Sequence, residues 1–180
     1  MEKIKIICLY LFCFAICFSA AGQGALSKRE LVRQVYSSQI GIVEQGGTNR
    51  GKEVNEYLAS TGLGPGYPWC AAFVSWCYQQ AQVNAPNSAW VPAYFAKGNL
   101  IYLRGKLQSK IPETGDVFSI WYARLGRPAH IGFVDEWGED WIVTVEGNTN
   151  EGGSREGIGV FKKRRLRRQV YAVSDFIGRE

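Results

Sequence analysis

The sequence predicts an α+β fold, with helices first and an antiparallel sheet after them. Apolar residues recur at helical spacing over 28–39 and again over 69–81, whereas from residue 100 onward alternating and β-branched runs are punctuated by Gly. Gly138-Glu139-Asp140 separates two of those runs and is a hairpin signal, so neighbouring strands are expected to be antiparallel. The expected architecture is a set of N-terminal helices packed on a C-terminal antiparallel sheet of about five to six strands.

The first element is a leader. Lys3 and Lys5 precede an unbroken apolar run from Ile6 to Phe18, followed by the small residues Ser19, Ala20, Ala21 and Gly22. This pattern reads as a secretory signal peptide over 1–22. The apolar run is shorter than the roughly 20 residues a membrane-spanning helix needs, so export to the periplasm or the medium is expected, with no spanning segment afterwards. Residues 23–180 are then one domain, large enough for a real core and expected to act as a monomer. Beyond residue 22 the chain carries 19 basic and 15 acidic residues, a net charge of +4 that favours anionic surfaces without naming one.

Ser27-Lys28-Arg29-Glu30 has the form of a capping box, and Leu31, Val32 and Val35 follow at helical spacing, which predicts a helix over 28–39. A Gly-rich loop leads to a second helix over 52–60, with Asn49 a plausible cap. The breakers of TGLGPGYP separate this from a third helix over Trp69 to Ala81, and a short fourth is expected over Ser88 to Lys97. Strands are expected over Asp116 to Tyr122, His130 to Trp137, Trp141 to Glu146, Gly159 to Leu166 and Val170 to Val173.

Of the chain's five cysteines, three fall in the leader, leaving Cys70 and Cys77. Seven residues on a helix span about 10.5 Å along the axis. A disulfide tolerates Cα separations up to roughly 7 Å, so the pair cannot bond if this segment is helical. A shared metal is disfavoured for the same reason, and with one histidine and no CxxC motif a zinc site lacks ligands. No metal and no cofactor are expected.

The two cysteines are then inert packing or, in one case, a nucleophile. Cys70 falls in the first turn of its helix, where unpaired N–H groups and the positive end of the helix dipole favour an anionic sulfur. Cys77 falls two turns deeper among apolar residues and reads as a small buried hydrophobe. His130, the only histidine, lies in the strand-like run AHIGFVDEW and supplies the imidazole a cysteine nucleophile needs, although a lone histidine is also an ordinary packing residue. Strand alternation puts Glu146 and Asn148 on one side of the next strand, where either could accept the His130 Nδ1 proton or simply face solvent.

PWCAAFVSWCY around Cys70, Thr114-Gly115-Asp116 before a strand, HIGFV at His130 and the run from Glu146 to Thr149 occur in this order. Together they resemble the CHAP family, the cysteine- and histidine-dependent amidohydrolases and peptidases of papain-like fold. The resemblance implies Cys70 as nucleophile, His130 as general base and acid, Glu146 as the acid that orients the imidazole, and Asn148 as an accessory orienting residue. It further implies hydrolysis of an amide bond in peptidoglycan, either the link between muramic acid and the stem peptide or a peptide bond within the stem or cross-bridge. For the second oxyanion donor, beside the backbone N–H of Cys70, the candidates are Asn55, Tyr57 and Tyr67. Tyr67, Trp69 and Trp121 are candidates for substrate contact, with core packing as the alternative.

Two charged segments remain. Lys162, Lys163, Arg164, Arg165, Arg167 and Arg168 supply six basic residues in seven, read either as a contact for anionic wall polymer or as an exposed strand that resists edge pairing. Asp135, Glu136, Glu139 and Asp140 lack the ordered spacing of an EF-hand and read as a charged turn. Two functions outside housekeeping hydrolysis stay open at this level: a catalytically silent wall- or polyanion-binding module, and an exported antibacterial effector with the same chemistry.

Overall fold

The computed structural model describes residues 26–150 and 157–178; the signal peptide expected over 1–22 lies outside them. Three helices precede the sheet: α1 (Lys28–Ser38), α2 (Lys52–Ser60) and α3 (Cys70–Gln80). Seven strands follow: β1 (Leu100–Leu103), β2 (Lys106–Leu107), β3 (Val117–Tyr122), β4 (Arg127–Trp137), β5 (Trp141–Thr149), β6 (Gly159–Leu166) and β7 (Ala172–Ser174). They form one antiparallel sheet in the order β2-β1-β7-β3-β4-β5-β6. Among the described residues no helix is long and apolar enough to cross a membrane.

The α+β class and the order of helices and strands are as the sequence predicts, but the sheet has seven strands rather than five to six. The two extra strands, β1 and β2, are joined by Arg104 and Gly105, both at positive φ, as a two-residue hairpin turn requires. The expected fourth helix is instead two short 3-10 segments, Val91–Tyr94 and Lys97–Asn99, with Pro92 at the start of the first. Nor does Asn49 cap α2; that position belongs to Gly51. The capping box of α1 does form, with Ser27 Oγ accepting from the Glu30 N–H and Glu30 Oε2 from the Ser27 N–H.

Strand periodicity sorts the sheet into two faces. Val117, Ile131, Phe133 and Val145 join the helices in one core, while Phe118, Val134 and Ile142 join Ile101, Tyr102, Val170 and Val173 in a second. Phe133 lies 4.9 Å from the Tyr36 ring of α1 and 5.3 and 6.1 Å from Tyr78 and Phe73 of α3. Each such pair adds about 0.5–1.5 kcal/mol beyond burial, so both helices are fastened to β4. Gly147 permits α3 to come this close, because a Cβ there would meet Phe73 and Trp69 at 2.8 Å.

The turn Thr114-Gly115-Asp116 anchors β3 to the first helix. Gly115 has φ +90 and no room for a Cβ, which would meet Ile177 at 2.9 Å. Arg29 of α1 donates to Thr114 O and Asp116 Oδ1. Asp135 is not part of a solvated turn: it is buried on β4, where it accepts from Tyr36 and Arg33 and pairs with Lys162.

Candidate active site

Cys70 is the first residue of α3, and His130 and Glu146 are carried by the adjacent strands β4 and β5. Helix α3 packs on the first face of the sheet with its N-terminus toward the sheet end at His130. Cys70 lies within hydrogen-bonding reach of the His130 ring. Cys70 and Cys77 are both free thiols, as helix geometry requires. Burial pushes the Cys77 thiol well up, which removes it as a nucleophile.

His130 Nε2 meets Glu146 Oε2 at 2.8 Å. This corrects the expected polarity of the ring: Nε2 faces the carboxylate, which leaves Nδ1 for the sulfur. Burial disfavours the imidazolium, but hydrogen bonds to Cys70 and Glu146 and their charges outweigh it and raise the pKa to about 9. At neutral pH the ring therefore carries both protons. Gly132, two residues along β4, makes space for the carboxylate arm, since a Cβ there would meet Glu146 Cγ at 2.8 Å.

Glu146 is fully buried and each of its oxygens has two partners. Thr144 Oγ1 and Arg165 Nε donate to Oε1, and Arg165 Nη2 and His130 share Oε2. Burial alone would raise its pKa; the hydrogen bonds from Arg165 and His130 reverse this and hold the carboxyl well below the usual range. Cys70, His130, Glu146 and Arg165 thus form a row of alternating charge whenever the sulfur is anionic.

Arg165 is a site residue that sequence reasoning misses. The sequence groups it with the basic run Lys162 to Arg168, but its side chain is only 14% exposed. Alternation along β6 carries the signal: Arg165 pairs across the sheet with Ile142, on the strand that bears Glu146. The rest of the run is divided as well. Lys162 holds Asp135, Lys163 donates to Asn150 O, Arg164 stacks over Trp141 and Arg167 reaches Gly138 O.

Asn148 does not bond His130. Its φ is +52 and the β5–β6 register slips between Glu146 and Thr149, so the strand alternation that put it beside Glu146 fails here. Its Oδ1 accepts from the Trp69 N–H at 3.2 Å and its Nδ2 donates to Asn49 Oδ1 at 3.1 Å. Asn148 thereby ties β5 to the start of the helix that carries Cys70 and to the Asn49 loop.

The sulfur and His130 open on a cleft of about 410 Å³ that Asn49, Pro68, Tyr122, Arg127 and Asn148 help to line. A second cavity of about 680 Å³ adjoins it, sharing Tyr122, His130 and Asn148. Trp121 lines that second cavity, but Tyr67, though exposed, lines neither. Trp69 is no substrate contact: it is fully buried, packs on Tyr57 and Phe73, and donates its indole N–H to Glu44. Tyr57 is likewise buried with its hydroxyl on Gln39, which removes it as an oxyanion donor. Asn49, which the sequence offered only as a helix cap, lines the cleft together with Asn148.

A family model described as the CHAP domain matches residues 62–148, a segment that contains Cys70, His130, Glu146 and Asn148. No curated protein matches the chain.

Proposed function

With residues 62–148 belonging to the CHAP domain family, we propose that the protein is a cysteine hydrolase that cleaves an amide bond of peptidoglycan, exported through the leader at 1–22. CHAP domains are amidohydrolases and peptidases, and the observation that carries the reading to this chain is the buried Cys70–His130–Glu146 row at the cleft. The bond is either the muramoyl-to-peptide amide or a peptide bond of the stem or cross-bridge.

The chemistry runs through a thioester. The Cys70 sulfur attacks the amide carbonyl, forming a C–S bond and placing negative charge on the carbonyl oxygen. Backbone N–H groups in the first turn of α3 have no helical partners and are suited to hold that charge. His130 Nδ1–H protonates the amine as the C–N bond breaks. The ring then takes a proton from water, whose oxygen attacks the thioester, and the acid leaves with the thiolate restored. Glu146, fixed by Arg165 and Thr144, holds the imidazole in place and balances its charge in both steps.

The silent-module reading is disfavoured because two residues of the basic run it relies on are engaged by carboxylates of the chain itself, Arg165 by Glu146 and Lys162 by Asp135. Mass spectrometry of peptidoglycan fragments after digestion tests the proposal. New amino groups released by wild type and not by Cys70→Ser are expected, and the fragment masses name the bond. Equal turnover by the two proteins would sink the assignment.

A further inference from the structure

The larger of the two cavities has a composition that the row of catalytic charges does not explain. Its wall holds Arg104, Arg165 and Arg168, and among the described residues that line it none is acidic. Arg165 is neutralised by Glu146, but among the described residues Arg104 and Arg168 make no ion pair. Arg104 is instead fixed by other means: it sits at φ +48 in the β1–β2 turn, donates to the Tyr171 hydroxyl at 3.3 Å and lies 5.3 Å from the centre of the Tyr171 ring. Tyr171 in turn packs against Trp121, ring centres 4.7 Å apart and planes tilted by 34°.

We propose that this cavity is a subsite for a carboxylate-bearing peptide arm of the substrate, held by Arg104 and Arg168 and packed against Trp121 and Tyr171. The inference rests on the hydrolase reading and adds which part of the substrate is recognised. Position supports it: the cavity shares Tyr122, His130 and Asn148 with the cleft that holds Cys70, so a substrate with its amide at the sulfur can extend past His130 into it. Guanidinium groups suit carboxylates because their paired N–H groups match the two oxygens, and the aromatic pair supplies an apolar wall for a peptide backbone. Holding Arg104 in a constrained turn against a ring lowers the ordering cost of binding.

The test is binding to the full chain carrying Cys70→Ala, read by calorimetry, with N-acetyl-L-alanyl-D-glutamate and its diamide as probes. The acidic probe is expected to bind about tenfold or more tightly than the diamide. Arg104→Gln and Arg168→Gln should each reduce that preference severalfold, Arg168→Lys should keep part of it, and added salt should weaken it. Equal affinities for acid and diamide, a preference untouched by both glutamine variants, or no binding of either probe by a protein whose wild type cleaves peptidoglycan would each overturn the subsite. An acid preference in a protein that releases no peptidoglycan fragments would leave the subsite standing and fail the hydrolase reading.

Discussion

Arg165 grips both oxygens of Glu146, Nε on Oε1 and Nη2 on Oε2, each at 2.5 Å. A carboxylate this buried persists as an anion only because that grip and the His130 bond outweigh its desolvation. Removing the guanidinium leaves a buried charge short of a partner, a change that costs about 3 kcal/mol in comparable pairs. Arg165→Gln is therefore expected to lower stability by that order in urea unfolding and kcat by at least tenfold. Arg165→Lys should recover part of the stability but less of the rate, because a single ammonium cannot hold the carboxylate at both oxygens. The sign for acid is set by the depressed Glu146 pKa. Its contribution to stability is present above the ordinary glutamate range and lost as pH falls through the lower folded value. In Arg165→Gln that loss begins at higher pH, which acid unfolding curves will read.

His130 is the only imidazole in the chain, so a single NMR resonance reports its titration. With a folded pKa of about 9 against 6.5 for an ordinary histidine, the protonated ring contributes stability that is complete below pH 6.5 and lost as pH rises through about 9. The same proton is needed by the leaving amine, so kcat/KM should fall above about pH 9. Cys70→Ser and Glu146→Gln should each move the resonance down toward 6.5. A wild-type ring that already titrates near 6.5 would contradict the pairing with Cys70 and Glu146.

Two glycines separate the positioning of the sulfur from that of the carboxylate. A methyl at Gly147 would press on Phe73 and Trp69 of the α3 region, and one at Gly132 would press on Glu146 and Phe118. Each alanine variant should cost about 1–3 kcal/mol by overpacking. Gly132→Ala should in addition shift the His130 titration, since it displaces the carboxylate; Gly147→Ala should lower kcat with that titration nearly unchanged.

The parts of the fold that were legible in the sequence are those where local chemistry and tertiary packing agree. The capping box at Ser27, the breakers before Cys70 and the three-residue turn at Gly138 each act locally and are found in place. The parts that were not legible depend on long-range geometry. A two-residue strand such as β2 has almost no periodicity of its own and exists because β1 offers it an edge. Asn148 departs from strand alternation because of a register slip that only the pairing with β6 reveals. Arg165 was hidden by its neighbours: in a run of six basic residues nothing marks the one whose side chain turns inward until Glu146 is seen across the sheet.

Asn148 tests this distinction directly. If it serves the helix that carries the nucleophile, Asn148→Ala loses the acceptor for the Trp69 N–H and strains a residue at φ +52, at a cost of about 1–2 kcal/mol. Turnover should fall about tenfold while the His130 resonance titrates as in wild type. A shift of half a pH unit or more would instead assign it to the imidazole. Asn148→Asp, which keeps the acceptor and tolerates this backbone conformation but loses the donor to Asn49 Oδ1, should recover only part of the stability.

Alkylation distinguishes the two cysteines of α3 without reference to any substrate. Cys70 is 6% exposed and opens on a cleft at a helix N-terminus beside His130, whereas Cys77 is fully buried two turns deeper with its thiol held protonated by desolvation. Iodoacetamide at neutral pH should therefore modify Cys70 and leave Cys77 unmodified until the protein unfolds, as peptide mapping by mass spectrometry will show. Because the reactive species is the anion and His130 supports it, Glu146→Gln should slow the Cys70 reaction severalfold, and Cys77→Ala should not change it. Labelling of Cys77 in the folded protein at a rate comparable to Cys70 would mean that the first turn of α3 confers no special reactivity.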